Sequence, residues 1–274
     1  MKNWWLDGKT FVVTGASSGI GRGLTEKLII NHGCRVFGIG RSAKKFEALN
    51  SALGEKASLL TPVLMDVTDE GAWQGFATSL SGVQVDGLIN CAGILPPFAS
   101  AVSLPIDTFK SVMDVDYFAC IYAINALYPT ISASSTPSII NVGSAAALAT
   151  IVGTSAYSAA KSAIKAYSEA LTYELKGKAY VSTVMPGFAR TDIFRSQNSE
   201  IDDNKLFLLV SMPADKMVNK IYRGIKRRRT RMTFGIDAFL MGTFYRLFPR
   251  LTMLVISKVV KSVKLKLFEN VFDN

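Results

Sequence analysis

Lys9-Thr10-Phe11-Val12-Val13-Thr14-Gly15-Ala16-Ser17-Ser18-Gly19-Ile20-Gly21 decides the fold. Its first half is apolar on both faces, as a strand buried inside a parallel sheet requires. Its second half sets glycine at 15, 19 and 21, and a helical pattern then runs to about Asn31. Without Cβ atoms the chain turns tightly there, and its backbone can approach a pyrophosphate at the helix N-terminus. The spacing is G-x-x-x-G-x-G rather than G-x-G-x-x-G. A lone glycine turn is a weak signal. Between a strand and a helix it reads as a nucleotide site, with Gly15, Ser17, Ser18, Gly19, Ile20 and Gly21 facing the phosphates.

The same alternation continues outward. Strands are expected at 35–40, 60–65, 87–90, 138–142 and 180–185, with helices at 43–53, 70–80, 106–131 and 155–176. Apolar strands alternating with helices predict an α/β fold, a doubly wound parallel sheet with helices on both faces. Residues 1–235 are expected to form one Rossmann-type domain, and 236–274 a helical extension. Ligands of such sheets lie at the carboxyl ends of the strands. Gly15–Gly21, Arg41, Asp66, the Asn90–Gly93 stretch, Ser144 and Pro186-Gly187 all fall at those ends.

The second strand ends Gly40-Arg41-Ser42, without Asp or Glu. A carboxylate there grips a ribose 2′-hydroxyl, whereas arginine suits a 2′-phosphate, so NADP(H) is favoured over NAD(H). The alternative is that Arg41 is a solvated loop residue. Asp66, before Val67, has two readings: an acceptor for an adenine amino group, or a helix cap.

Tyr157 and Lys161 stand four apart, on one face of a helix. A free phenol has a pKa of about 10, and lowering it by two to three units takes roughly 3–4 kcal/mol. A cation about 4 Å away at an effective dielectric of ~20 supplies roughly that. The pair is therefore expected to give a general acid/base that works near neutrality. Histidine is nearly absent: His32 is the single one, expected in a capping or surface role. Ser/His/Asp hydrolysis and histidine-ligated metal chemistry are poor fits. Cys34, Cys91 and Cys120 form no CxxC pair, which argues against zinc or a disulfide framework and for a reducing interior.

Thr14–Gly21, Asp66-Val67, Asn90-Cys91-Ala92-Gly93, Ser144, Tyr157-x-x-x-Lys161 and Pro186-Gly187 with Thr191 come in an order and spacing that resembles the short-chain dehydrogenase/reductase family over residues 8–235. The resemblance implies that Tyr157 handles the proton, that Lys161 binds the nicotinamide ribose and acidifies Tyr157, and that Ser144 holds the substrate oxygen. It implies that Asn90, Ala92 and Gly93 border the coenzyme, and that Pro186, Gly187, Phe188 and Thr191 hold its carboxamide end. It further implies a substrate lid over about 192–212, and a homodimer or homotetramer paired through the helices holding Asp116 and Tyr157. There are two departures. Cys91 replaces a second Asn, and Asp116 stands where the family commonly has Asn, in a helix whose distortion holds a relay water. Asp116 is expected to keep that relay, as it can if the relay uses the main-chain carbonyl, and a buried carboxylate near Lys161 would also pair with it and shift both titrations; the alternatives are a weakened enzyme or an alignment offset by one residue.

The expected lid carries Ile193, Phe194, Leu206, Phe207, Leu208, Leu209 and Met212, which suits an apolar, steroid- or lipid-like substrate. The opposed reading is a catalytically weak, nucleotide-sensing or membrane-associated scaffold. The net charge is +10, and its excess lies late in the chain, with a dense cluster over Arg223–Arg231. Leu251, Val255 and Val259 share one helical face, and Lys258, Lys261 and Lys264 another. A basic amphipathic helix of this kind lies on an anionic membrane surface; the other reading is a helix that covers the core or forms a dimer contact. Nucleic acid is not expected as a partner, because the cluster lacks interleaved aromatics. No apolar run nears 18 residues, and the start is too short for a signal peptide, so the expected location is cytoplasmic, at a membrane surface if the tail docks there.

Overall fold

The computed structural model describes residues 4–190, 193, 211–262 and 268–272. Strands β1 (Thr10–Thr14), β2 (Arg35–Gly40), β3 (Leu60–Leu64), β4 (Gly87–Asn90), β5 (Ser138–Val142), β6 (Tyr180–Pro186) and β9 (Arg231–Phe234) form one sheet. Its order is β3-β2-β1-β4-β5-β6-β9, and every neighbouring pair is parallel. The two-residue strands β7 (Ala189–Arg190) and β8 (Met212–Pro213) pair separately. The chain leaves β1 in one direction through β2 and β3, then returns to its other side with β4. The carboxyl ends of β1 and β4 thus flank the switch point where such sheets open a crevice.

Helices cover both faces, as right-handed crossovers require. On one side α1 (Gly19–His32), α2 (Ala43–Leu53) and α7 (Ala214–Lys226) bury Leu24, Leu28, Phe46, Met217 and Ile221. On the other, α3 (Glu70–Ser79), α5 (Ala119–Ser132) and α6 (Ser155–Glu174) bury Trp73, Phe76, Leu127, Ile131 and Leu171. β1, β4, β5 and β6 are buried along their whole length, which is why they read as near-continuous apolar runs.

One sequence expectation is sharpened and two are corrected. The long helix expected over 106–131 carries its distortion at Asp116: α4 (Ile106–Met113) passes into a π-helical turn at Asp114–Phe118 before α5. Such a turn inserts an extra residue and re-aims side chains, and it turns Asp116 fully inward. Second, β9 emerges from what read as the end of a basic cluster; Met232 is buried and pairs with Val184 in β6. Third, His32 is neither on the surface nor a cap. Gly33 caps α1 with φ +60°, and the buried His32 ring bonds the Asp7 carboxylate and the Tyr222 hydroxyl (2.8 Å). It ties the amino-terminal segment to α7.

Beyond β9 lie α8 (Ile236–Leu247) and α9 (Pro249–Ser262), with Pro249 at the first helical position, where its missing N–H costs nothing. Buried contacts bridge the boundary expected at 235/236. Ala238 is fully buried, Gly242 packs on Leu148, and the Ser100 amide donates to the Asn270 carbonyl at 2.8 Å. Of the expected lid, 192 and 194–210 lie outside the described residues, as do Thr191 and, in the expected basic face, Lys264.

Candidate functional site

The glycine turn after β1 is built backbone on backbone. Gly15 and Gly19 hold φ of +65° and +51°, where a side chain is strained. A Cβ on Gly21 would meet the Gly15 carbonyl, and one on Gly15 would lie 3.1 Å from Ala92 Cα. Thr14 Oγ1 accepts from the Cys91 and Ala92 amides at 2.9 and 3.0 Å, stitching the ends of β1 and β4 together. The motif alone gives Thr14 no role; a hydroxyl at the end of a buried strand is the sequence signal for it.

From this turn one cavity runs across the carboxyl edge of the sheet. Gly15, Ser17, Ser18, Gly19, Ile20 and Gly21 line its first part, and Arg41, Ser42, Asp66 and Val67 its flank. Ala92, Gly93, Ser144, Tyr157, Lys161, Pro186, Gly187 and Phe188 line its far part. Asn90 does not line it: buried behind the wall, it donates to Asn141 Oδ1 (2.9 Å), and Asn141 donates to Ser168 Oγ (2.9 Å). Asp66 is not a helix cap. Asp69 caps α3, while Asp66 accepts from the Thr68 amide (3.0 Å) and hydroxyl (2.8 Å) and lies 3.9 Å from Arg41. These bonds, the amide's first, hold its carboxyl below the usual range. Lys45, beyond the residues expected from the sequence, adds a second cation to the flank. Its place just inside α2, whose N-cap is Ser42, is the sequence signal for it.

The residues present fit a phosphorylated dinucleotide. No side chain caps the N-terminus of α1, and its first turn holds no acid, so its amides and positive end are left to an anion. Two cations stand at the edge of the cavity where a 2′-phosphate belongs.

At the far end, Ser144 ends the chain's exit from β5 in extended conformation (φ −159°), and α6 presents Tyr157 and Lys161 one turn apart. Lys161 Nζ lies 5.6 Å from the Tyr157 ring centroid and 3.4 Å from Asp116 Oδ2, and it donates to the Val142 carbonyl at 3.4 Å. Asp116 Oδ1 accepts from the Ile94 amide at 2.7 Å. Gly93 permits this pairing, since a Cβ there would lie 3.2 Å from both Asp116 Oδ1 and Lys161 Nζ. The side chain of Asp116, rather than its main-chain carbonyl alone, therefore reaches Lys161 from behind the cavity wall, which it does not line.

That pair changes the expected titration of Tyr157. Burial pushes the phenol above its ordinary value; Lys161 and the Ser144 hydroxyl pull it down, and the Asp116 charge opposes them. In the chain by itself burial wins, so the phenol is not the acidified group expected from the Tyr157–Lys161 spacing. Burial also raises the Asp116 carboxyl, with Lys161 restraining the rise. For Lys161 burial acts downward, but Asp116 and Tyr157 lead a set of opposing charges that holds the ammonium above its usual range. The Cys91 and Cys120 thiols nearby are pushed up to about 12 by burial and stay neutral.

Next to Tyr157 the wall is apolar. Leu95, Phe98, Ile151 and Ile193 line the cavity and are backed by Ile256, Val260, Phe268 and Val271 from the carboxyl-terminal segment. Asp237 at the start of α8, also missed, accepts from the Phe188 amide at 2.7 Å and sits against Gly187 and Gly235. It anchors the loop after β6 to the hairpin of α8 and α9.

A model described as short chain dehydrogenase matches residues 9–202. The serine 3-dehydrogenase of Rhizobium radiobacter is 29% identical over 222 residues, covering 78% of this chain and 86% of that protein. The 1-deoxy-11-beta-hydroxypentalenate dehydrogenase of Streptomyces avermitilis is 32% identical over 195 residues, 69% of this chain and 72% of that protein. Among solved structures, a short chain dehydrogenase from Burkholderia cenocepacia J2315 in complex with NADP superposes with a TM-score of 0.76 at 22% identity. The match covers 92% of this chain and 98% of that one, a likeness of fold.

Proposed function

Because this chain belongs to the short chain dehydrogenase family of oxidoreductases, we propose that it interconverts a carbonyl and an alcohol on a hydrophobic substrate with NADP(H). The observation that carries this reading is the grouping of Ser144, Tyr157 and Lys161 where a phosphate-suited cavity meets an apolar wall. Gly15–Gly21 and the α1 amides would hold the pyrophosphate, Arg41 and Lys45 the 2′-phosphate, Lys161 the nicotinamide ribose, and Pro186–Phe188 with Thr191 the carboxamide. When bound, the dinucleotide supplies or accepts the hydride.

The chain's own part is the proton. Held above its usual range, the Tyr157 hydroxyl is protonated at neutral pH and serves reduction as the general acid, donating from Oη to the developing alkoxide. The Ser144 hydroxyl fixes that oxygen, a positioned donor where charge develops. The buried Lys161 ammonium stabilises the phenolate left behind, and Asp116 keeps the ammonium charged and in place. In the oxidative direction the phenol must first ionise, so that direction gains with rising pH. Leu95, Phe98, Ile151 and Ile193 favour an apolar substrate over a polar one such as the serine named for the Rhizobium relative. Two copies would pair through the helices holding Asp116 and Tyr157, where Phe118 and Tyr173 are exposed.

The test is NADPH oxidation with a panel of hydrophobic ketones and aldehydes, for the parent and for Tyr157→Phe. Turnover lost in the variant with NADPH binding intact supports the reading. Tight NADPH binding with no turnover by the parent overturns it in favour of a nucleotide-sensing protein.

A further inference from the structure

α8 and α9 present their apolar stripes outward. On α8, Ile236, Phe239, Leu240, Phe244 and Leu247 follow helical spacing and are 45–79% exposed. On α9, Leu251, Leu254, Val255 and Val259 do the same at 49–60%. A soluble helix shows the reverse, with charge outward and the apolar stripe on the core. Here the inward faces are occupied as well: Ala238 and Gly242 pack on the body, and Ile256 and Val260 on the apolar wall beside Tyr157. The outward stripes are thus surplus to the fold, and exposed apolar surface of this extent marks an interaction site.

The charge around the stripes selects the partner. Arg246, Arg250 and Lys258 border them, all exposed, with the exposed Lys261 beside them over the Phe272 ring. The single acid among residues 236–262 is Asp237, which is occupied with the Phe188 amide. A second copy seated on this face would set cations against cations. An anionic lipid surface accepts both the apolar stripes and the basic border. Among the described residues no helix is long and apolar enough to cross a membrane, so the helices would lie in the interface.

We propose that the outward faces of α8 and α9 dock the protein on an anionic bilayer. The Arg223–Arg231 cluster takes no part. β9 runs parallel to β6, so the turn before Arg231 lies at the opposite edge of the sheet from the start of α8. Three of its cations are also engaged there, Arg228 over the Trp5 ring, Lys226 over Trp4 and Arg231 with Glu169. The proposal deepens the oxidoreductase reading, because the same hairpin carries the apolar wall on its other side. Its test is independent of turnover.

The full chain is sedimented with vesicles of phosphatidylcholine alone and of phosphatidylcholine with phosphatidylglycerol. Binding to the anionic vesicles, weakened by salt, is expected. Leu251→Gln with Leu254→Gln should weaken it by more than about tenfold, and Lys258→Gln should weaken it about fivefold, the equivalent of about 1 kcal/mol per basic residue. Arg227→Gln with Arg229→Gln should leave it unchanged. All these variants should keep NADPH binding and solution turnover, which separates a failure here from a failure of the proposed chemistry. Absence of binding to anionic vesicles overturns the proposal. So does a concentration-dependent dimer that Leu251→Gln with Leu254→Gln dissolves, since the face then belongs to a second copy.

Discussion

The coenzyme side of the cavity and the α8–α9 hairpin solve opposite problems with opposite materials. The coenzyme side removes side chains where the turn is tightest: Gly15, Gly19 and Gly21 leave amides and space, and the Thr14 hydroxyl is taken up by the amides of the next strand's end. The hairpin multiplies side chains and turns them outward, ten large apolar residues between Ile236 and Val259 being exposed. A surface made of backbone tolerates almost no substitution, because a single Cβ occupies the space the ligand or the next strand needs. A surface made of apolar side chains loses function gradually, in proportion to the area removed.

Removing the reacting hydroxyl gives the largest effect. Tyr157→Phe should lower kcat by about 10²–10⁴-fold, the usual contribution of a positioned general acid. Coenzyme and vesicle binding should change little. A variant with near-parent kcat would remove Tyr157 from the chemistry and leave the hairpin as the molecule's main activity. Next comes Gly21→Ala, which places a methyl against the Gly15 carbonyl. Overpacking of about 1–3 kcal/mol should weaken NADPH binding by roughly one to two orders of magnitude, measured by quenching of protein fluorescence. Vesicle binding should stay as it was. Loss of both together would mean that the two regions do not act separately and that the Asp237 link between them carries more than position.

Arg41→Ala sharpens the same side of the comparison with a smaller effect. Its guanidinium is exposed and already near Asp66, so losing one charge-assisted contact should cut the NADPH-over-NADH preference about tenfold. Lys45→Ala should add to the loss if both cations hold the 2′-phosphate. An unchanged preference in the double variant would place that phosphate elsewhere.

These regions also differ in how well the sequence exposes them. Strand, glycine turn and helix are local rules, so β1, α1 and the strand ends with their motifs were all readable along the chain. Two features were not, and a third was half legible. The resemblance allows a buried carboxylate at Asp116 to pair with Lys161, but it is the packed α4–α5 segment, with its π-helical turn, that aims the carboxylate there. Asp237 acts on Phe188, 49 residues away in sequence, a contact that β9 creates by pairing with β6. The hairpin's periodicity was visible, but a stripe of apolar residues does not say which way it faces. Ile256 and Leu254 differ by two positions, and one packs beside the cavity wall while the other meets solvent.

The smallest effect is a displacement rather than a loss, and it tests the pairing of Asp116 with Lys161. Asp116 raises both Tyr157 and Lys161, so Asp116→Asn removes an opposing charge from each. The amide can still accept from the Ile94 N–H, which preserves the local fold. Reduction needs the protonated phenol, and its rate falls as pH rises through the phenol's pKa. With that pKa lowered, the falling limb of the kcat profile should move toward acid. The thiols of Cys91 and Cys120, held near 12, are neutral throughout and cannot produce such a shift. Were Asp116 only a packing group, kcat would drop equally at every pH. Were Lys161 to lose its proton once unpaired, the limb would move the other way, because a neutral amine no longer restrains the phenol. The direction of the shift, read from NADPH oxidation across pH, therefore reports whether the buried ammonium keeps its charge without its carboxylate.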